Sequence, residues 1–316
     1  MRSRWLAVVA MSGLWVGCGG PAAEALNKYK AASLASETDV QEWAERSSAP
    51  NIYAIANVAV TLVALTGGSE GADPNCPVEK KDGKTTRITG GCTDKNGVEW
   101  IGSMELVSEE EGESSGIQNA RYTYDNFGYQ KTYTCGGKTG VNKFAFHGTT
   151  SVTGTKAKKE FAIDVRLESS ELRDEDSDSC ETLSSTAAWE YKGTVDGADT
   201  ALGNGRQTWN GSGRMGSEER GVVEVATKDE VVDDSVCDDE AASGSTTIKS
   251  GGHTAVITYD GATDCEEAST VQWSLDGKAS GEMEGVSCSA ASGPTFAAWG
   301  VALLGALGLM RRRARR

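Results

Sequence analysis

From about Ser69 onward, the chain alternates apolar and polar positions. In KEFAIDVRLES, Phe161, Ile163, Val165 and Leu167 alternate with polar neighbours, the period-two signature of a strand with one buried face. STAAWEYKGTV sets Ala187, Trp189, Tyr191 and Val195 on one side, and TAVITYDG and STVQWSLDG read the same way. Between such runs fall Asp82-Gly83, Asn96-Gly97, Asp196-Gly197, Asn204-Gly205, Asn210-Gly211, Asp260-Gly261 and Asp276-Gly277. These dipeptides supply the positive φ values that two-residue type I′ turns require. The combination predicts a mainly β domain over 69–288, a large antiparallel, hairpin-rich sheet of sandwich or barrel-like form with one solvated face. Strands do not alternate with long helical runs, which argues against a parallel α/β arrangement.

The pattern differs over 18–68. PAAEALNKYKAASLASETDVQEWAERSS is rich in helix formers, and Ser36 with Asp39 forms a capping pair at a helix start. NIYAIANVAVTLVALTGG is apolar on nearly every face apart from Asn51, Asn57 and Thr61. Its length favours a buried helix ending at Gly67-Gly68, although Val58, Val60 and Val63 also suit a strand, and we expect this segment to dock on the core of the sheet. Trp100, Trp189, Trp209 and Trp273 each fall in a predicted strand with glycine shortly after, a pattern that four core tryptophans beside turns would give. By the same likeness, WNGSGRMG and WSLDGKASGEMEG read as variants of one hairpin.

Charge sharpens the picture. The formal net charge is −15. With the seven arginines of the two terminal segments set aside, the remainder falls to −22. So acidic a surface repels nucleic acid, which excludes that class of partner.

The two ends carry the strongest signals. MRSRWLAVVAMSGLWVGCGG places two arginines before an apolar run from Trp5 to Val16 and small residues at the break. That is the form of a secretory signal, too short and too early for a lasting membrane span. With Gly17-Cys18 at the break, residues 1–17 resemble a bacterial lipoprotein signal, although Trp15 stands where leucine is usual. The resemblance implies cleavage before Cys18, lipid on its thiol, and a membrane held through that anchor. At the other end, Thr295 to Met310 as a helix would span roughly 24 Å, short of a hydrocarbon core of about 30 Å. The arginines at Arg311, Arg312, Arg313, Arg315 and Arg316 would keep that end cytoplasmic. Cys288 among small residues, a short apolar transmembrane-type helix and the arginine cluster resemble, in that order, the MYXO-CTERM type of sorting tail over 289–316. That resemblance implies handling by export and sorting machinery and delivery to the outer membrane or cell surface of a Gram-negative, myxobacterium-like organism.

If Cys18 and Cys288 belong to those signals, six cysteines remain: Cys76, Cys92, Cys135, Cys180, Cys237 and Cys265. In an exported chain they suggest three disulfides, with fifteen connectivities open. Pairing along the sequence gives Cys76–Cys92, Cys135–Cys180 and Cys237–Cys265, with Cys288 an alternative partner for Cys265. No spacing suits zinc.

Catalytic patterns match by letter and lack their context. GESSG around Ser114 has no apolar strand before it or helix after it, as a nucleophile elbow needs, and neither His147 nor His253 has supporting context. GSGRMG (Gly211 to Gly216) lacks the helix start a dinucleotide site requires, and reads as a turn before the strand in SEERGVVEV. In DEDSDSCE, Asp174, Asp176, Asp178 and Glu181 offer alternating oxygens for weak calcium binding, but Ser179 and Ser185 replace the glycine and glutamate of an EF-hand loop. VVDDSVCDDE is a second acidic cluster. No cofactor is expected beyond that calcium candidate. The sequence therefore points to an exported, lipid-anchored surface protein with a non-enzymatic structural or binding role, with an envelope protein as one candidate partner. Behind it stand a carrier of a lipid or other hydrophobic ligand, and an unrecognised hydrolase.

Overall fold

The structure, a computed structural model, describes residues 19–56, 58, 73, 75–108, 117–135, 137–176, 179–197, 205–233, 237–259 and 270–284, without the side chains of 135, 138, 171–176, 179–183, 237–240 and 284. Two helices open the described chain, α1 (Pro21–Leu26) and α2 (Glu37–Ser47), and residues 49–56 are helical again. The strands are β1 (Val78–Asp82), β2 (Thr85–Thr89), β3 (Cys92–Thr93), β4 (Glu99–Ser108), β5 (Ala120–Cys135), β6 (Lys138–Gly154) and β7 (Lys158–Asp176). They continue as β8 (Ser179–Asp196), β9 (Arg206–Ser217), β10 (Gly221–Asp233), β11 (Cys237–Ser250), β12 (His253–Tyr259), β13 (Thr270–Leu275) and β14 (Ala279–Glu284).

The expected mainly β, antiparallel, hairpin-rich architecture is what forms. One open sheet of fourteen strands runs in chain order from β1 to β14, with β3 set aside against β4. Nearly every strand pairs with its sequence neighbours, so the topology is a meander. Phe161, Ile163, Val165 and Leu167 all point to one buried face, as do Tyr191, Val195, Ala255, Ile257, Val271, Trp273 and Leu275. This inner face carries α2, residues 49–56 and Val58; α1 lies on the outer face.

The helices follow from local chemistry. Ser36 and Asp39 form the expected capping box, with Asp39 N–H donating to Ser36 Oγ at 3.2 Å and Ser36 N–H donating to Asp39 Oδ2 at 3.0 Å. That start turns Val40, Trp43 and Ala44 onto the core. Ile52, Tyr53, Ala56 and Val58 are buried in the same cluster, so the apolar segment does dock on the sheet. Its expected end at Gly67-Gly68 lies outside the described residues.

Between the two faces the chain is strapped to the sheet. Val222 N–H donates to Lys30 C=O at 2.9 Å, and Ala32 N–H donates to Val222 C=O at 3.1 Å. The strap takes the slot beside β10 just past the end of β11, where Ser250 Oγ also donates to Val222 C=O at 2.8 Å. Leu34, two residues on, is already in the inner core.

One part of the turn reading is corrected. Asp276-Gly277 and the region of Asp82-Gly83 are tight turns, but Asn210-Gly211 and the whole of GSGRMG lie inside β9. WNGSGRMG is therefore a straight strand, whereas WSLDG leads into the β13–β14 hairpin. The glycines of β9 serve packing. A Cβ at Gly211 would come within 2.5 Å of Tyr191 Cε1 and its oxygen, so this glycine makes room for a neighbouring ring.

Candidate functional site

Register builds a row of inner-face residues at right angles to the strands. Phe161, Gly193, Gly211, Thr227, Thr246 and Ile257 stand directly opposite one another on β7 to β12. The two glycines leave a shallow bare strip, and the Phe161 and Tyr191 rings lie across it, their centroids 5.9 Å apart. Tyr53 descends from the helical segment with its ring 5.2 Å from both Phe161 and Trp209. Aromatic pairs at these separations add roughly 0.5–1.5 kcal/mol each beyond the area they bury.

Beyond the glycines the row turns polar. The hydroxyls of Thr227 and Thr246 are hydrogen-bonded at 3.1 Å, and Thr246 is bonded in turn to the Tyr259 hydroxyl at 2.9 Å. The Tyr191 oxygen lies near Thr227 without a hydrogen bond of normal geometry. Burial is the main reason its ionisation is pushed far above the ordinary tyrosine range; the Glu230 charge adds to this and Thr227 opposes it.

Among the described residues, Glu230 is the one buried carboxylate, fully enclosed. Strict alternation along β10 would bring position 229 inward after Val223, Val225 and Thr227. A bulge at Lys228–Asp229, with Asp229 at φ 49°, shifts the phase and turns Glu230 in. Asp229 N–H donates to Asn210 Oδ1 at 2.9 Å, which ties the bulge to β9. The Glu230 carboxylate then accepts from Ser48 Oγ at 2.6 Å and from Ala49 N–H at 2.8 Å. An anion is thus seated at the start of helical residues 49–56, where free N–H groups and the helix dipole favour one.

A second aromatic group lines the inner face over β4 to β6. Trp100 is 6.1 Å from Phe127, Tyr124 is 5.6 Å from Phe146, and Phe144 is 5.0 Å from Phe146, centroid to centroid. The indole N–H groups of Trp100, Trp209 and Trp273 are buried and meet no acceptor among the described residues.

On the outer face, α1 covers Ala188 and Val222. Ala22 N–H donates to Asp164 Oδ1 at 3.0 Å, Tyr29 Oη donates to Thr186 C=O at 3.1 Å, and Arg214 Nη1 donates to Asn27 Oδ1 at 2.8 Å. Arg214 also pairs with Glu190 at 2.5 Å, while Glu168 takes Lys143 at 2.8 Å and Arg166 at 2.9 Å. The hydrogen bond from Lys143 holds the Glu168 carboxyl below its usual range.

Of the residues singled out from the sequence, Cys76 and Cys92 are joined in the expected disulfide. Cys135, Cys180 and Cys237 lie on β5, β8 and β11 with undescribed side chains, and Cys18, Cys265 and Cys288 lie outside the described residues. Asp174 and Asp176 close β7 and Glu181 follows at the start of β8; the side chains of these three, and all of Asp178, are outside the description. Among the described residues no group of three or more His, Cys, Asp or Glu could hold a metal. Ser114 and the tail with Arg311, Arg312, Arg313, Arg315 and Arg316 also lie outside them. His147 sits on β6, 3.9 Å from Asp125, and His253 on β12, 2.8 Å from Asp276. They are thus on separate strands. Among the described residues no helix is long and apolar enough to cross a membrane.

Glu230, the Thr227–Thr246–Tyr259 row and Asp164 were not singled out from the sequence. The signal for Glu230 was present in VVEVATKDEVVD, where the apolar alternation slips one place at KDE. Together these features define a class: an antiparallel meander whose inner face is occupied by its own N-terminal helical segment, latched there by a buried carboxylate. The chain matches no protein-family model, no curated protein and no solved structure.

Proposed function

We propose that the protein is an exported, lipid-anchored cell-surface protein with a non-enzymatic structural or binding role. The observation that carries the reading is the Cys76–Cys92 disulfide, because such bonds persist in oxidising compartments outside the cytosol. It agrees with the lipoprotein-type signal ending at Cys18 and with the sorting-type tail at Cys288 to Arg316. The interior supports a scaffold role, since Tyr53, Phe161, Tyr191 and Trp209 fill the middle of the inner face with the protein's own rings. Intact mass of the native protein with its lipids tests the reading. The expected mass shows acylated Cys18, loss of residues 1–17 and processing of the tail. An unmodified full-length chain would overturn it.

A carrier of a lipid or other hydrophobic ligand is the second reading. It draws on the aromatic lining of β4 to β6 and on the three buried indole donors without acceptors, which a ligand oxygen would satisfy. Organic extraction of natively purified protein tests it: a stoichiometric amphiphile supports the carrier, and none rejects it.

A further inference from the structure

The N-terminal chain has almost no slack. From Gly20 to Ala32, contacts tie it to the outer face or the end of the sheet: Ala22 to Asp164, Asn27 to Arg214, Tyr29 to Thr186, and Lys30 and Ala32 to Val222. Only Gly19 and Gly20 separate Cys18 from the first helical residue, Pro21. Two residues reach at most about 7 Å when fully extended, whereas a flexible tether of some twenty residues would average roughly 25 Å. Whatever is attached at Cys18 therefore sits close against α1.

Resting on the reading that Cys18 carries lipid, we propose that the outer face bearing α1 is the membrane-facing surface, held directly on the headgroups of a lipid bilayer. The charge of this face fits such a partner. The chain as a whole is strongly acidic, yet here Lys28, Lys143, Arg166 and Arg214 are paired with Glu24, Glu168 and Glu190. A locally balanced surface meets headgroups without the repulsion the acidic remainder would feel. The inner face then points away from the bilayer.

Amine footprinting tests the orientation on the native protein. Lipidated protein in phosphatidylcholine–phosphatidylethanolamine vesicles is labelled with a membrane-impermeant amine reagent and compared with unlipidated C18S protein. Lys28 and Lys30 follow directly after α1, while Lys80 and Lys81 on β1, the strand at the far edge of the sheet from β7, serve as exposed references. On vesicles, Lys28 and Lys30 should label at least threefold more slowly relative to those references, with no such difference in C18S. A fifteen-residue Gly/Ser insert after Gly19 should keep the protein on vesicles and abolish the protection. Equal labelling in the vesicle-bound lipidated protein would overturn the orientation alone. Intact mass showing no lipid on Cys18 would overturn the anchoring reading itself.

Discussion

Glu230 on β10 and Ser48 at the head of the inner helical segment are hydrogen-bonded at 2.6 Å across 182 positions of sequence, and Ala49 N–H shares the same carboxylate. The pair joins the N-terminal segment to the middle of the sheet through a fully buried charge. Glu230→Ala removes two charge-assisted hydrogen bonds and leaves a hydroxyl and an N–H buried without partners. A loss of about 3 kcal/mol is expected in urea unfolding. Glu230→Gln keeps the shape and should lose less. Equal stability of wild type and Glu230→Ala would show that the latch contributes nothing.

The contact between Gly211 and the Tyr191 ring predicts a coupled pair. Gly211→Ala should destabilise by roughly 2 kcal/mol, because the new methyl overlaps the phenol. In a Tyr191→Ala background the same change should cost far less, since the obstructing ring is gone. A double-mutant cycle reads the coupling, and additive effects would refute it.

Cys76 and Cys92 close a loop with a sequence separation of 16. For a loop of that size the chain-entropy model gives about 3 kcal/mol, so Cys76→Ala/Cys92→Ala should lower stability by roughly 2–3 kcal/mol. Peptide mapping without reduction should recover the Cys76–Cys92 crosslink. Free thiol at both positions in freshly isolated protein would contradict the bond.

Alkaline titration follows from the buried phenols. Burial raises the ionisation of Tyr122 and, much further, of Tyr191. Above pH about 10 the unfolded chain releases these protons while the folded chain retains them, so stability declines as pH rises through that range. Absorbance at 295 nm should reveal a fraction of tyrosine that ionises only on unfolding. If all eight tyrosines titrate reversibly together near pH 10 in folded protein, the buried row is not as described.

How much could be read in advance depended on whether the period held. β7, β8, β12 and β13 were legible because Phe161 to Leu167 and their counterparts never slip phase. β10 was legible as a strand but not as a site, because the Asp229 bulge changes which side chains turn inward, and only the paired register reveals it. Asn210-Gly211 has the composition of a turn. What decides its conformation is a ring from the neighbouring strand, and a single strand's sequence does not contain that neighbour. The Ser36–Asp39 cap was legible since both partners lie within one turn. Asp164 at the head of α1 was not, because its partner Ala22 is 142 positions away.

The meander also sets an order of events for a chain that emerges N-terminus first. Each hairpin can close as soon as its second strand appears, because its partner is adjacent in sequence. Ser48 has no such neighbour: its acceptor arrives only once β1 to β9 and most of β10 have been made. Until then residues 49–56 can rest on Phe161 and Trp209 but lack the latch, and they stay partly open to other hydrophobic surfaces, including holdase chaperones and neighbouring nascent chains. Final acquisition of the native state is therefore timed by β10, and truncations ending before Glu230 should accumulate as sticky, chaperone-bound species while those ending after β13 should not.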